Sequence, residues 1–149
     1  EAYKARIESM QPQLKAMAKE QYDITLNSGP FGISSRAAHI GMKYAETQGK
    51  GEAYHAAVFK AYWQQAQDIS DLDVLAAIAV DVGLDRDGFL ASLDQVNLDQ
   101  QVNADISQAQ AFNISGVPAM VFDGKYLIPG AQPYDELARI TDYVKSQET

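Results

Sequence analysis

Residues 114–133, ISGVPAMVFDGKYLIPGAQP, constrain the fold more than any other stretch of the chain. Two short β-rich runs, GVPAMVF and KYLI, flank Asp123-Gly124, a dipeptide suited to the positive-φ positions of a tight hairpin turn. Almost everywhere else the apolar residues recur at helical spacing. An isolated two-stranded hairpin is marginal in water, and one helix laid on it leaves a face and both edges open. The sheet therefore needs more strands. They have three conceivable sources: the stretch Tyr22 to Leu26, where Tyr22, Ile24 and Leu26 alternate; another molecule; or sequence upstream of Glu1. The chain opens at Glu1 already inside a helical pattern, which favours the last source. One upstream strand-helix-strand unit of at least ~30 residues would complete the sheet, and the chain is read as a fragment.

The helices are marked by period and by their ends. From Ala2 to about Tyr22, Ile7, Met10, Leu14, Met17 and Ala18 line one face, with Pro12 either kinking the helix or starting a second one. Asn27, Ser28, Gly29, Pro30 and Gly32 mark a loop. A helix from about Ser35 to Gln48 ends at Gly49, and the next, from Glu52 to about Gln65, carries Tyr54, Val58, Phe59, Tyr62 and Trp63. Ser70 with Asp73 before VLAAIAV resembles a capping box, with Gly83 as the stop. Asp85 can cap a short helix through Leu93, and a longer helix from about Leu93 to Phe112 presents Leu98, Val102, Ile106, Ala109 and Phe112 as a stripe. The last helix, from about Tyr134 to Ser146, would turn Leu137, Ile140 and Val144 toward the sheet.

Composition excludes several functions. A formal charge of −8 and a pI near 4.6 argue against nucleic acid or an anionic membrane as partner, since counterion release needs clustered Lys and Arg. No apolar run approaches the ~20 residues of a membrane span. The absence of cysteine excludes disulfides, thiolate metal sites and a cysteine nucleophile within these 149 residues.

The order helix, GVP, strand, Asp-Gly hairpin, strand, GAQP, helix resembles the C-terminal half of a thioredoxin-like domain. SGVPAMVFDGKYLIPGAQPYDELARI is similar to the closing motif of DsbA-like proteins of the FrnE type. The resemblance extends back through YHAAVFKAYWQQAQDISDLDVLAAIAVDVGLD and SSRAAHIGMKYAETQGKGEAY, which look like the helical domain that those proteins insert into the thioredoxin fold. It implies an α/β, thioredoxin-like protein, mostly helical here, with residues 1–112 as the helical insertion and its connecting helices, and 113–149 as the C-terminal part of the thioredoxin-like domain.

It also implies a bacterial, cytoplasmic thiol-disulfide oxidoreductase or isomerase, working without a cofactor on protein thiols and disulfides through a Cys-x-x-Cys at the start of its first helix. That part is missing, so no catalytic residue lies in this chain. In the family the Val-Pro peptide is cis and its backbone pairs with the bound substrate strand. The resemblance thus carries substrate binding to Gly116, Val117 and Pro118: Val117 through its backbone, Pro118 through its shape, Gly116 by allowing close approach. Two alternatives remain. One is a glutathione-dependent isomerase or transferase of the 2-hydroxychromene-2-carboxylate isomerase type, with glutathione near Val117; the other is a non-catalytic adaptor that holds a protein partner. The open hairpin, with Met120, Val121 and Phe122 lacking covers, predicts self-association of the fragment.

Other chemistry-bearing residues have plainer readings. Glu52 and His55 form a Glu-x-x-His, but a carboxylate-bridged metal site wants a second such motif, so His39 and His55 are read as surface or packing residues and no metal is expected. Tyr54, Phe59, Tyr62 and Trp63 could line a groove for a peptide or an aromatic ligand; their helical spacing favours core. Ser34, Ser35 and Arg36 suggest an N-cap more simply than an anion site, and the pairs Asp71/Asp73 and Asp85/Asp87 suggest capping rather than acid-base catalysis.

Overall fold

The computed structural model describes residues 2–147, with side chains from Ala5 onward. Its elements run α1 (Ala2–Tyr22), α2 (Arg36–Thr47), α3 (Gly51–Gln64), α4 (Leu72–Asp81), α5 (Arg86–Ser92), α6 (Val96–Ala111), β1 (Ala119–Phe122), β2 (Tyr126–Pro129) and α7 (Tyr134–Gln147). The chain divides into two compact units, residues 1–102 and 103–149.

In the first unit, α2 to α5 enclose one core. Ala38 and Ala45 of α2, Tyr54, Val58 and Ala61 of α3, and Leu75, Ala76 and Ala79 of α4 meet over Phe89 of α5. Small residues on α2 and α4 let the large rings in: Tyr54 and Phe89 sit with centroids 5.6 Å apart, and Tyr44 meets Phe89 edge-on at 6.2 Å. Gly41 is part of this fit, since a Cβ there would stand 2.6 Å from the Tyr54 hydroxyl and 2.7 Å from the Phe89 ring. Leu98 and Val102 form a second, smaller cluster with Ile40.

Several element ends differ from the sequence expectation. Pro12 neither breaks α1 nor starts a new helix, and the predicted apolar face of α1 at Met10, Leu14 and Met17 is exposed. Residues 23–30 contain no strand. Their donors go elsewhere: Asn27 N–H donates to the Trp63 carbonyl (2.8 Å) and Gly29 N–H to the Tyr62 carbonyl (2.6 Å), while Ala66 N–H donates to the Asn27 carbonyl (2.8 Å). This segment closes the C-terminal end of α3, where the last carbonyls have no partner within the helix.

The cap of α4 is Asp71, not Ser70; its carboxylate accepts the Asp73 N–H at 2.8 Å. Ser70 instead donates its hydroxyl (2.6 Å) and its N–H (2.8 Å) to Asp68, and these bonds hold the Asp68 carboxyl below its ordinary range. Ser35 occupies the N-cap of α2 without a side-chain capping bond. Asp85 caps α5 as expected, accepting the Gly88 N–H at 2.7 Å. The helix predicted from Leu93 begins three residues later, at Val96, after a turn in which Gln95 N–H donates to the Ser92 carbonyl.

In the second unit, β1 and β2 pair antiparallel in the register Ala119↔Pro129, Met120↔Ile128, Val121↔Leu127 and Phe122↔Tyr126. The turn is Asp123 to Lys125, with φ 50° at Asp123 and 63° at Gly124, closed by Lys125 N–H donating to the Phe122 carbonyl. Asp-Gly is therefore where both left-handed residues fall. Tyr126 of β2 meets Tyr143 of α7 edge-on at 6.0 Å; Val144 is buried, and Leu137 and Ile140 are half-buried. Among the described residues the sheet has two strands.

Candidate functional site

The segment Ser115 to Pro118 delivers the chain to β1 in an exposed corner. Val117 is 91% exposed, the most open large apolar side chain among the described residues, and the Val117-Pro118 peptide is cis. The corner is fixed from behind: Gly130, at φ 79°, donates its N–H to the Pro118 carbonyl at 2.8 Å. The Gln132 amide then donates to the Pro129 carbonyl at 2.9 Å, so the GAQP run is the clasp of the hairpin mouth.

Val117 contributes no backbone hydrogen bond among the described residues, and a Cβ on Gly116 would project into open space. A shallow depression of about 200 Å³ lies here, floored by Ile114, Ala119 and Leu127 beside the three predicted residues. The geometry offers an apolar floor, a free N–H and a free carbonyl at the end of a strand. An extended chain can be held by such a surface.

The first unit contains a second concavity, larger and more aromatic. A cavity of about 360 Å³ opens between α2 and α3, with Ala38, His39 and Met42 on one wall and His55, Phe59 and Trp63 on the other. Helix geometry explains the second wall. Tyr54, Val58 and Ala61 form the buried stripe of α3, and the neighbouring positions 55, 59 and 63, four apart, form the next. Tyr54 is thus core, 1% exposed, but Phe59 and Trp63 are 54% and 39% exposed, which corrects the reading of all four aromatics as core. His39 and His55, placed by sequence at the surface or in packing, are exposed at this cavity, and the His55 and Phe59 rings lie 4.5 Å apart.

The sequence matches the DSBA-like thioredoxin domain over residues 1–141. The chain belongs to that family. Among its DSBA-like relatives is the thiol:disulfide interchange protein DsbA of Azotobacter vinelandii, 30% identical over 105 residues, which cover 69% of this chain and 49% of that protein. The chain spans about half the length of the curated relatives it matches. Solved structures agree in fold. A probable DsbA oxidoreductase from Streptomyces coelicolor superposes with a TM-score of 0.81 at 23% identity, covering 97% of this chain and 63% of that one. A 2-hydroxychromene-2-carboxylate isomerase gives 0.79 at 22% identity, covering 98% and 70%. Among its described residues the DSBA-like chain is mostly helical with one hairpin, as the resemblance implied.

Sequence reasoning missed Ile114, Leu127 and Gly130 at the DSBA-like corner. The glycine had a signal, because it follows a strand and precedes a helix, where a positive φ is common. Ile114 and Leu127 had none, since each reads as an ordinary apolar residue until the hairpin register is known. No helix among the described residues is long and apolar enough to cross a membrane.

Proposed function

We propose that this chain is the substrate-holding part of a thiol-disulfide oxidoreductase or isomerase acting on protein disulfides, with the reacting thiols supplied outside these 149 residues. In this reading residues 1–112 are the helical insertion and 113–149 the end of the thioredoxin-like domain. Family membership supports it, and the observation that carries it is the corner at Val117, with its side chain exposed and its backbone N–H and carbonyl unpaired beside Pro118. An extended substrate would pair with the Val117 backbone as an added strand. It would rest on Ile114 and Leu127 and pass over Gly116, where no side chain intervenes.

The chain's own residues bind and orient; the exchange itself needs an attacking thiolate, and the sequence holds no cysteine. Placing substrate correctly is a large share of such a rate, because a misplacement of about 1 Å can cost on the order of 100-fold. The reading carries a cytoplasmic location with it, which fractionation of cells of the source bacterium would check.

The test uses the natural full-length gene product. Thiol titration with mass-spectrometric mapping should find two thiols that disappear together on oxidation, and Val117→Pro, which removes the N–H donor, should raise KM for a model dithiol peptide about tenfold. One thiol or none, or an unchanged KM, would overturn the reading.

A second reading, a glutathione-dependent isomerase or transferase like the 2-hydroxychromene-2-carboxylate isomerase whose fold it shares, predicts that millimolar glutathione raises the melting temperature of the same protein. The unpaired edge of β1 also supports self-association of the 149-residue chain, hairpin to hairpin. A sharp monomer at high concentration in sedimentation velocity would contradict it.

A further inference from the structure

The apolar stripe of α1 serves neither the substrate corner nor the core of α2 to α5. Ile7, Met10, Leu14 and Met17 follow one another at steps of three and four, the a and d positions of two successive heptads. Met10, Leu14 and Met17 are exposed, Ile7 is half-buried, and α1 packs along no other element of the described residues. A helix of 21 residues with Pro12 inside it is marginal without a packed face, because most helical stability in proteins comes from tertiary contact. Pro12 falls at position f, opposite the seam, so the stripe runs past it unbroken.

We propose that two copies of this chain pair through α1, antiparallel, with Ile7 of each copy opposite Met17 of the other and Met10 opposite Leu14. The same patch then meets itself, and the contact closes at a dimer. Charge sets the direction. Of the described charged side chains on α1, Arg6 and Glu20 flank the seam, both at g, while Glu8, Lys15 and Lys19 lie at b and f. Antiparallel pairing brings Arg6 of one copy to Glu20 of the other at both ends of the contact, within about 3 Å along the axis by helix rise. Parallel pairing would set Arg6 against the uncharged Gln11 and leave Glu20 facing no residue of α1. Opposed helix dipoles add to the antiparallel preference. Four apolar side chains from each copy make a small interface, so the expected Kd is on the order of 10–100 μM.

Sedimentation velocity of the 149-residue chain should show a monomer in dilute solution and a dimer at about 500 μM. Leu14→Glu keeps a good helix former but puts a charge in the seam. It should weaken the dimer about tenfold or more, with the melting temperature of the dilute protein unchanged. Arg6→Glu should weaken it about threefold or more, and adding Glu20→Arg should restore it, because the double variant has the same two pairs reversed. The sequence has no cysteine, so a single introduced thiol reports one contact. Antiparallel pairing places Gln13 beside Gln13 of the second copy, so Gln13→Cys should cross-link under a mild oxidant such as diamide, and Lys15→Cys on the far face should not. Should Leu14→Glu fail to fold, that cross-link is an independent readout of the same contact. A monomer at about 500 μM, a dimer that Leu14→Glu leaves intact, or equal cross-linking through Lys15→Cys would overturn the α1 interface. Failure of the charge swap to restore the dimer, or cross-linking by Leu14→Cys but not by Gln13→Cys, would overturn the antiparallel pairing. Strong protection of the α1 amides in a monomeric full-length gene product would overturn the second copy as the occupant of the stripe.

Discussion

Tyr54 holds a phenolic hydroxyl in the core with no hydrogen-bond partner among the described residues. An unsatisfied buried donor costs roughly 1–3 kcal/mol, so Tyr54→Phe should leave stability at pH 7 unchanged or raise it, which a chemical denaturation curve would show. Burial also pushes the Tyr54 hydroxyl well above the ordinary tyrosine range. The folded state therefore keeps a proton that the unfolded chain releases near pH 10, so the stability tied to this group is complete below that pH and falls as pH rises beyond it. Tyr54→Phe should flatten that alkaline decline in a pH series of thermal melts. Gly41 is the matching residue: Gly41→Ala puts a methyl 2.6 Å from the same hydroxyl, and overpacking of this kind costs about 1–3 kcal/mol. Adding Tyr54→Phe removes the closest clashing atom, so the double variant should recover part of the loss, a coupling measurable by a double-mutant cycle.

Elements were legible where a local chemical signal coincided with the backbone's need. Asp85 and the Asp123-Gly124 turn were read correctly because a carboxylate at a helix start and a left-handed pair in a hairpin are satisfied within a few residues. Ser70 and Asp71 show the limit, since both suit an N-cap, and the choice depended on Asp68, which takes both donors of Ser70. Replacing Asp71 by Ala should cost about 1 kcal/mol in denaturant unfolding, and Ser70→Ala should leave α4 capped. The stretch Tyr22 to Leu26 alternates like a strand but forms none, and the end of α3 takes the donors that follow it. The aromatic residues of α3 show the same limit for the candidate sites. Periodicity identified an apolar helix, but which of two adjacent stripes faced the core depended on where α2 and α4 lay. At the hairpin corner, Gly116, Val117 and Pro118 were visible as a motif, while the floor beneath them was visible only through the strand register.

At the scale of the molecule, buried side chains are unevenly shared. The first unit holds nearly all of them, and in residues 103–149 Val144 is the only buried side chain among the described residues. Native-state hydrogen exchange should accordingly find strong protection in α2 to α5 and weak protection in β1 and β2, with opening of the hairpin well below the global unfolding free energy. Slow exchange at Met120 and Val121 in a demonstrated monomer would contradict this.

The segment at Asn27 has a further consequence. Asn27 both gives a bond to the last turn of α3 and receives one from the residues just past it, so two stretches remote in sequence share a single seam. Lengths on the two sides are then not independent. Adding a turn to α3, or deleting a residue between Tyr22 and Pro30, would misalign the seam unless the other side changed with it. Across natural variants of this chain, insertions and deletions should therefore avoid these two segments or occur in both together.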